Sequence, residues 1–409
     1  MVNCRRPIIN SRFTINLKTL FLTLRTFSAT GGIEKVCRIM GKALYEESLE
    51  NNGLVKICSM YDKQEDAFDN PYFPAENFRG FGISKLRFIK ETVQSGLKYD
   101  QVILSHINLL PVGWLIKKLS PGSTIILLAH GIEIWYPLNP YKRRMLRICD
   151  KVIAVSNYTR EQVSMVHGIP RSKIEVLNNC LDPFLPLPSG RKKNKELLRK
   201  YGFSESDTIL MSLTRLASRE RYKGYDKVIE AIAAMQGRYP GIKYFIAGRY
   251  DSREKAFVEE LVKKAGMENR VVMPGFIPEE ELKAHFAMSD IYVMPSRKEG
   301  FGIVFIEAMY YGLPVIAGNI DGSVDALLNG QLGQLVHPDN VEDIKTAIAN
   351  IMEDKTSFTP SRKVLTDHFS YEAYKRKLEG ILSLTRDPCP EEEGDRKALF
   401  KSLTFKNAK

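Results

Sequence analysis

The sequence predicts an α/β protein made of two Rossmann-like, doubly wound domains in tandem, facing each other across a cleft. Three observations predict it. Short apolar runs alternate with amphipathic helical patterns along most of the chain, as in βαβ units of a parallel sheet. The alternation breaks at the Pro-rich stretch "LDPFLPLPSG", residues 181–190, which reads as a linker. The length of 409 residues is enough for two domains of ordinary size, and 44% hydrophobic with 26% charged residues is ordinary for a globular protein.

In the first half, "LKTLFLTL" reads as a strand, and "TGGIEKVCRIMGKALYEE" as a glycine-led amphipathic helix. "GLVKICSM" is a strand, "SKLRFIKETVQSG" a basic amphipathic helix and "YDQVILSH" a strand. "LLPVGWLIKKLSPG" is helical, "STIILLAHG" and "DKVIAVS" are strands, "NYTREQVSMVHG" is a helix and "KIEVLNN" a last strand. After the linker, "RKKNKELLRKYG" reads as a polar, solvated helix. A second series starts at "TILMSLTRL" and runs through "YDKVIEAIAAMQGRYP", "IKYFIAG", "FVEELVKKAGM", "RVVMPGF" and "EEELKAHFAMSD". It continues with the strand "DIYVMPS", the loop "KEGFG", the helix "IVFIEAMYY" stopped by Gly312 and Pro314, the strand "PVIAG" and the helix "VEDIKTAIANIMED". "FSYEAYKRKLEGILSLTR" is a terminal helix, and residues 387–409 are too charged and apolar-poor to pack. The expected division is residues 1–182, 183–368, a terminal helix 369–386 and a charged tail.

The formal charge of +12 is uneven. Residues 1–182 hold 25 Lys and Arg against 16 Asp and Glu, a balance of +9; the rest hold 35 against 32, a balance of +3. A basic first half suits an anionic partner, such as a membrane surface or a phosphorylated substrate. No nucleic-acid module signature accompanies it, so no nucleic-acid partner is expected. The six cysteines are scattered, without C-x-x-C or metal-like spacing; they suggest a reducing compartment, such as the cytoplasm, and no disulfide framework. No apolar run reaches transmembrane length. "LKTLFLTLRTF" carries Lys18 and Arg25 and reads as a buried first strand rather than a signal sequence. Residues 1–16 carry no reading.

One acid stands out. Glu307 lies among Phe305, Ile306, Ala308 and Met309, and a buried carboxylate without partners costs several kcal/mol. It faces water, offsets the helix dipole, or accepts hydrogen bonds from a ligand diol such as a ribose. Glu299 precedes the same helix, at the carboxyl end of a strand, where open parallel sheets bind ligands. Gly31 and Gly32 in "ATGGIEK" let backbone approach an anion at a helix start, or make a plain tight turn. His130 in "LLAHGIEIW" ends a strand and is structural or chemical. Arg215 and Lys223 in "LTRLASRERYKGYD" suit a diphosphate, or are surface charge; Arg219 and Arg221 read as the surface members. "IAGRYD" and "MPGFIP" wall a nucleoside pocket or merely turn the chain.

The order and spacing of these motifs resemble a family-4, GT-B-fold, retaining glycosyltransferase, over roughly residues 17–386. "EGFGIVFIEAMYYGLPVIA" carries the resemblance most strongly, followed by "RLASRERYKGYDKVIEA", "TGGIEK", "AHGIEIW" and "FSYEAYKRK". Cys180 stands where a Gly is common, and "IAGRYD" lacks a second Gly. The resemblance implies that Glu307 binds the ribose hydroxyls of a nucleotide diphosphate sugar and Glu299 contacts the transferred sugar. It implies that Arg215 and Lys223 hold the diphosphate, and that Gly31 and Gly32 approach the phosphates or the acceptor. His130 would touch the donor sugar, and the amides of Gly300, Phe301, Gly302 and Ile303 would grip it. The implied reaction moves a hexose-type sugar to a hydroxyl of a lipid-linked saccharide or growing cell-surface polysaccharide, with cationic side chains in place of a metal and no cofactor besides the donor. The second domain takes the nucleotide, the first the acceptor, and the last helix crosses back to the first domain. The same cleft would also serve an epimerase, a phosphorylase or a non-catalytic nucleotide-sugar-binding subunit. Basic residues among apolar ones at 78–98 and in "YKRRMLR", residues 141–147, would lie on the inner face of the cell membrane, or would pack on the sheet with solvated charges.

Overall fold

The computed structural model describes residues 16–188 and 193–383. The N-terminal segment, the end of the linker, the start of the polar helix, residues 384–386 and the charged tail lie outside the described residues.

Two parallel sheets are present. The first holds β1 (Lys18–Thr23), β2 (Leu54–Ser59), β3 (Phe78–Gly80), β4 (Gln101–Leu104), β5 (Thr124–Ala129), β6 (Lys151–Ala154) and β7 (Ile174–Val176), in the order β3-β2-β1-β4-β5-β6-β7. The second holds β8 (Thr208–Leu213), β9 (Ile242–Ala247), β10 (Val271–Gly275), β11 (Ile291–Met294), β12 (Val315–Gly318) and β13 (Gln334–Val336), in the order β10-β9-β8-β11-β12-β13. Every pairing within both sheets is parallel. Helices cover both faces, which is why the central strands read as continuous apolar runs: Leu20, Phe21 and Leu22 of β1 are fully buried, as are Ile209, Leu210 and Met211 of β8.

In each sheet the strand order reverses beside its first strand, between β1 and β4 and between β8 and β11. Those two switch points open crevices at the carboxyl ends of the strands. The loops after β1, β8 and β11 carry Gly31, Arg215 with Lys223, and Glu299.

The two domains are tied together. Val36 and Val155 of the first domain belong to the same apolar cluster as Ile277 and Ile303 of the second. Asp325 accepts from the Asn157 amide at 2.5 Å and from Asn178 Nδ2 at 3.2 Å, so a second-domain acid caps the start of the first-domain helix Asn157–His167.

Several expectations are corrected. The anticipated terminal helix is found as Tyr371–Ser383, and a helix that was not anticipated, Arg362–Phe369, precedes it across Ser370. The stretch 181–188 is not a free linker: Leu181 is buried and donates its amide to the Phe369 carbonyl at 2.8 Å, and Asp182 accepts from Tyr72 Oη at 2.5 Å. The polar helix shrinks to Lys195–Lys200 and buries Leu198. Strands β3 and β13, each three residues long, were not anticipated, nor was the helix Pro140–Arg147 as an element.

The helix Tyr371–Ser383 lies on the first domain. Tyr374, Leu378 and Leu382 pack with Phe21, Cys37 and Ile103, and Tyr371 Oη donates to Glu46 Oε2 at 2.7 Å. Tyr374 is buried, and its hydroxyl has no hydrogen-bond partner among the described residues. Its ring therefore stabilises while its hydroxyl is a cost. Tyr374→Ala is expected to destabilise by about 3–5 kcal/mol, the range for losing a buried aromatic ring. Tyr374→Phe is expected to match or exceed the wild type. Thermal unfolding of both variants checks this; a loss in Tyr374→Phe comparable to that in Tyr374→Ala would contradict it.

Candidate active site

The cleft between the sheets holds a cavity of about 880 Å³ whose walls come from both domains. Gly31, Gly32 and His130 line it from the first domain; Arg215, Lys223, Glu299, Phe301, Gly302, Ile303 and Glu307 line it from the second. Gly300 is the one predicted site residue outside that lining. It sits behind the wall, where a Cβ would lie 1.9 Å from the His130 carbonyl oxygen. Glycine is required at 300 because the two domains touch backbone to backbone there.

Two helices begin at the cleft from opposite walls. Gly32–Glu50 starts after Gly31, and Ile303–Tyr310 starts after Gly302, whose φ of 86° suits glycine. Neither start has a side-chain cap. Their first amides are open to an anion, with the helix dipoles aligned in its favour. The loop leading to Gly31 is held by Asp62, fully buried, which accepts from the amides of Thr26 at 2.6 Å and Ser28 at 2.9 Å.

Lys223 and Glu299 meet at 2.5 Å. Burial pushes the Lys223 ammonium down, but the Glu299 carboxylate outweighs it and holds the group above its ordinary value, so it stays charged. Arg215 is exposed on the cavity wall, with Glu220 at 3.2 Å. Arg221 stays at the surface, its side chain 39% exposed, and is anchored there by two 3.0 Å bonds to the fully buried carboxylate of Glu254. Arg219 is exposed. His130 Nε2 lies 2.7 Å from the Ser105 carbonyl oxygen. A carbonyl only accepts, so Nε2 carries the proton and Nδ1 is the remaining nitrogen of the ring.

Glu307 answers its own puzzle. It is buried, at 4% exposure, and Lys35 of the first domain donates to its Oε1 at 2.6 Å. Lys35 also reaches Glu279 at 2.8 Å. The water-facing reading of Glu307 is therefore replaced. Sequence reasoning passed over Lys35 although it lies in the quoted glycine motif, since nothing local links residues 35 and 307.

Asp321 was also passed over. It is buried and accepts from the Glu299 amide at 2.7 Å and the Ser323 amide at 2.9 Å, while the Gly322 amide donates to the Glu299 carbonyl at 2.8 Å. The Glu299 backbone is thus clamped from both sides. The usable signal was an acid beside a glycine in the loop after β12. Burial pushes the Asp321 carboxyl up to about 7, and the Glu299 carboxylate adds to the shift against the two amides.

Two facing Rossmann-like sheets with the site between them are the GT-B architecture. The comparisons agree. The "Glycosyltransferase Family 4" profile matches residues 30–183, and the "Glycosyl transferases group 1" profile matches residues 193–376. The chain belongs to glycosyltransferase family 4. A GDP-mannose-dependent alpha-(1-6)-phosphatidylinositol monomannoside mannosyltransferase of Mycolicibacterium smegmatis is 32% identical over 56% of this chain and 61% of its own length. The chain thus spans about three fifths of that relative. A D-inositol 3-phosphate glycosyltransferase of Corynebacterium aurimucosum is 27% identical over 69% of this chain and 71% of its own. Among solved structures, Anabaena HepE in complex with UDP aligns with a TM-score of 0.73 at 21% identity, covering 90% of this chain and 100% of that one.

The Asp321 shift has a sign that can be tested. Its folded value is above its ordinary one, so the group's contribution to stability is complete below about 4 and is lost as pH rises to about 7. Asp321→Asn does not titrate and leaves one amide poorly satisfied. The stability gap between wild type and variant is expected to narrow as pH rises across that window. Thermal midpoints of both proteins from pH 4 to pH 8 check it; a gap that widens with pH would contradict the assignment.

Proposed function

We propose that this chain is a retaining, metal-independent glycosyltransferase that moves a hexose-type sugar from a nucleotide diphosphate sugar to a hydroxyl of a lipid-linked saccharide. One observation carries the reading. Arg215, Lys223, Glu299 and Glu307 converge on one cavity at the switch point of the second sheet, facing an uncapped helix start at the switch point of the first. The two family relatives, one a phosphatidylinositol monomannoside mannosyltransferase and one a D-inositol 3-phosphate glycosyltransferase, support a sugar donor and a phosphate-bearing acceptor. HepE, which shares the fold, was solved with UDP, and the mannosyltransferase takes GDP-mannose, so what the two have in common is a nucleoside diphosphate.

In this reading Glu307 accepts from the ribose hydroxyls. Arg215, Lys223 and the amides at the start of Ile303–Tyr310 face the diphosphate and offset the charge that grows as it leaves. The bond from the sugar's anomeric carbon to the diphosphate oxygen breaks. The acceptor oxygen bonds to that carbon on the same face, and its proton passes to the departing phosphate oxygen. Glu299 orients the sugar and stabilises the positive charge at that carbon, held in place by Asp321. His130 presents Nδ1 to a sugar hydroxyl; Gly31, Gly32, Phe301, Gly302 and Ile303 shape the contact surface, and Gly300 supports it from behind.

Arg215→Ala and Lys223→Ala are each expected to lower kcat roughly 100–1000-fold, the cost of removing one group that stabilises transition-state charge. Glu307→Gln is expected to weaken nucleotide diphosphate binding, because an amide oxygen replaces a carboxylate as acceptor. Glu299→Gln is expected to keep binding and lose rate. Calorimetry with UDP and GDP, and product analysis by mass spectrometry, separate the two. Loss of binding in Glu299→Gln with full binding in Glu307→Gln would reverse the assignments.

We further propose that the first domain docks on an anionic membrane. Phe78, Phe81 and Phe88 of the basic segment pack inside, but Leu86 is 84% exposed and Ile83 is 70% exposed. Ile83 has φ 78°, a strained conformation for a β-branched residue. Lys85, Arg87 and Lys90 surround them, with Arg87 paired to Glu91 at 2.7 Å. The helix Pro140–Arg147 adds Lys142, Arg143, Arg144 and Arg147, with no acid of its own. Lys and Arg near an anionic surface contribute about 1 kcal/mol each. The protein is expected to sediment with anionic vesicles at low salt, to release at high salt, and to ignore neutral vesicles. Charge reversal at Lys85, Arg87 and Lys90 should reduce sedimentation and leave nucleotide affinity unchanged. Equal partitioning to both vesicle types would remove the electrostatic argument.

A further inference from the structure

We propose that Lys35 is a positioning residue that latches the two domains through the carboxylate that receives the nucleotide, so that donor binding and domain closure share one group. The proposal rests on the reading of Glu307 as the ribose acceptor and adds a role for the first domain in the nucleotide site.

The charges are segregated by domain. Lys35 and Arg38 stand one turn apart on the first-domain helix Gly32–Glu50. Glu279 and Glu307 stand on the second-domain helices Glu279–Met288 and Ile303–Tyr310. Lys35 bonds to Glu307 at 2.6 Å and Glu279 at 2.8 Å, and Arg38 lies 3.7 Å from Glu279. Two cations from one wall thus meet two anions from the other, and separating the walls parts every one of these pairs. Lys35 and Glu307 are both largely buried, so their attraction is poorly screened. Burial pushes the Lys35 ammonium down, yet Glu307 and Glu279 together hold it above its ordinary value, so the latch is charged at neutral pH.

The geometry leaves Glu307 usable. Lys35 takes Oε1, and no partner of Oε2 is found among the described residues. A carboxylate has room for about four hydrogen bonds, so ribose hydroxyls can join the lysine rather than displace it. Lys35 then keeps Glu307 oriented and close to the first domain at the moment the donor arrives. A nucleotide gripping Glu307 in turn favours the closed arrangement in which Lys35 reaches it, because coupling between two such events is reciprocal.

The test uses Lys35→Met, Lys35→Arg and Glu279→Gln. Small-angle scattering of the ligand-free proteins reads domain separation, and calorimetry with UDP and GDP reads nucleotide affinity. Lys35→Met is expected to enlarge the radius of gyration and to weaken binding of the preferred nucleotide about tenfold. The same variant should raise the donor KM far more than it lowers kcat. Lys35→Arg should restore both readings, and Glu279→Gln, on the exposed rim where misfolding is not expected, should give a smaller change in the same direction. If Lys35→Met and Glu279→Gln match the wild type in separation, there is no latch. If Lys35→Met opens the domains while affinity stays unchanged, the coupling is refuted. If the wild type binds neither nucleotide, the donor reading fails and the coupling with it, while scattering still judges the latch.

Discussion

A carboxylate buried inside an apolar helix must find a counter-charge, and Glu307 finds it across the cleft. Its neighbours on the helix Ile303–Tyr310 are Phe305, Ile306, Ala308 and Met309, all buried. An ion without a partner in such surroundings would cost several kcal/mol or give up its charge. The cation that answers it, Lys35, stands 272 residues away in the chain and in the other domain. The second domain is therefore electrostatically complete only when the first lies against it. Val36, the next residue along the same helix, adds apolar contact to the second domain's core, so burial and charge act at one place.

That constraint explains why the chemistry sits where it does. A parallel sheet leaves its crevice at the strand ends where the order reverses, and both sheets of this chain turn theirs toward the common cleft. Rigid strands hold the loops; the loops hold the side chains. The loop after β11 is the tightest case. Glu299 is gripped through its own backbone by Asp321 and Gly322, and Gly300 presses on the His130 carbonyl of the other domain. A side chain set on so constrained a backbone does not have to be ordered again when a ligand arrives, which is the condition for electrostatic stabilisation to be effective.

What the sequence made legible follows from how local each signal is. The long buried strands were readable because both faces of a parallel sheet are apolar. The meeting of the proposed site residues Arg215, Lys223, Glu299 and Glu307 in one cavity was readable because their spacing sits inside strand-to-helix units. Strands β3 and β13 were not, since "FRG" and "QLV" carry too little apolar pattern over three residues, unlike the equally short β7 inside "KIEVLNN", and their pairing partners decide them. Arg221 lies at the surface as read, but its buried partner, Glu254, stands on a helix 33 residues on and left no local signal. Lys35 and Asp321 were missed for the same reason in a stronger form. A lysine after a glycine pair and an aspartate before a glycine are unremarkable in a string; only the meeting of two sheets gives them partners.

This asymmetry between local and distant signals bears on how such a cleft can work. Motifs within a single domain can assemble a binding surface, but they cannot report whether the opposite wall is present. The pairs that cross the cleft can. Asp325 on the Asn157 amide, Lys35 on Glu307, and the Gly300 contact with His130 lie along the same seam, and each is lost when the walls part. Of the three, only the Lys35 pair uses a side chain that also lines the cavity at the proposed ribose position. A backbone cap or a glycine contact can hold the domains together without sensing a ligand. A shared carboxylate cannot hold one without feeling the other, because its charge and its orientation serve both.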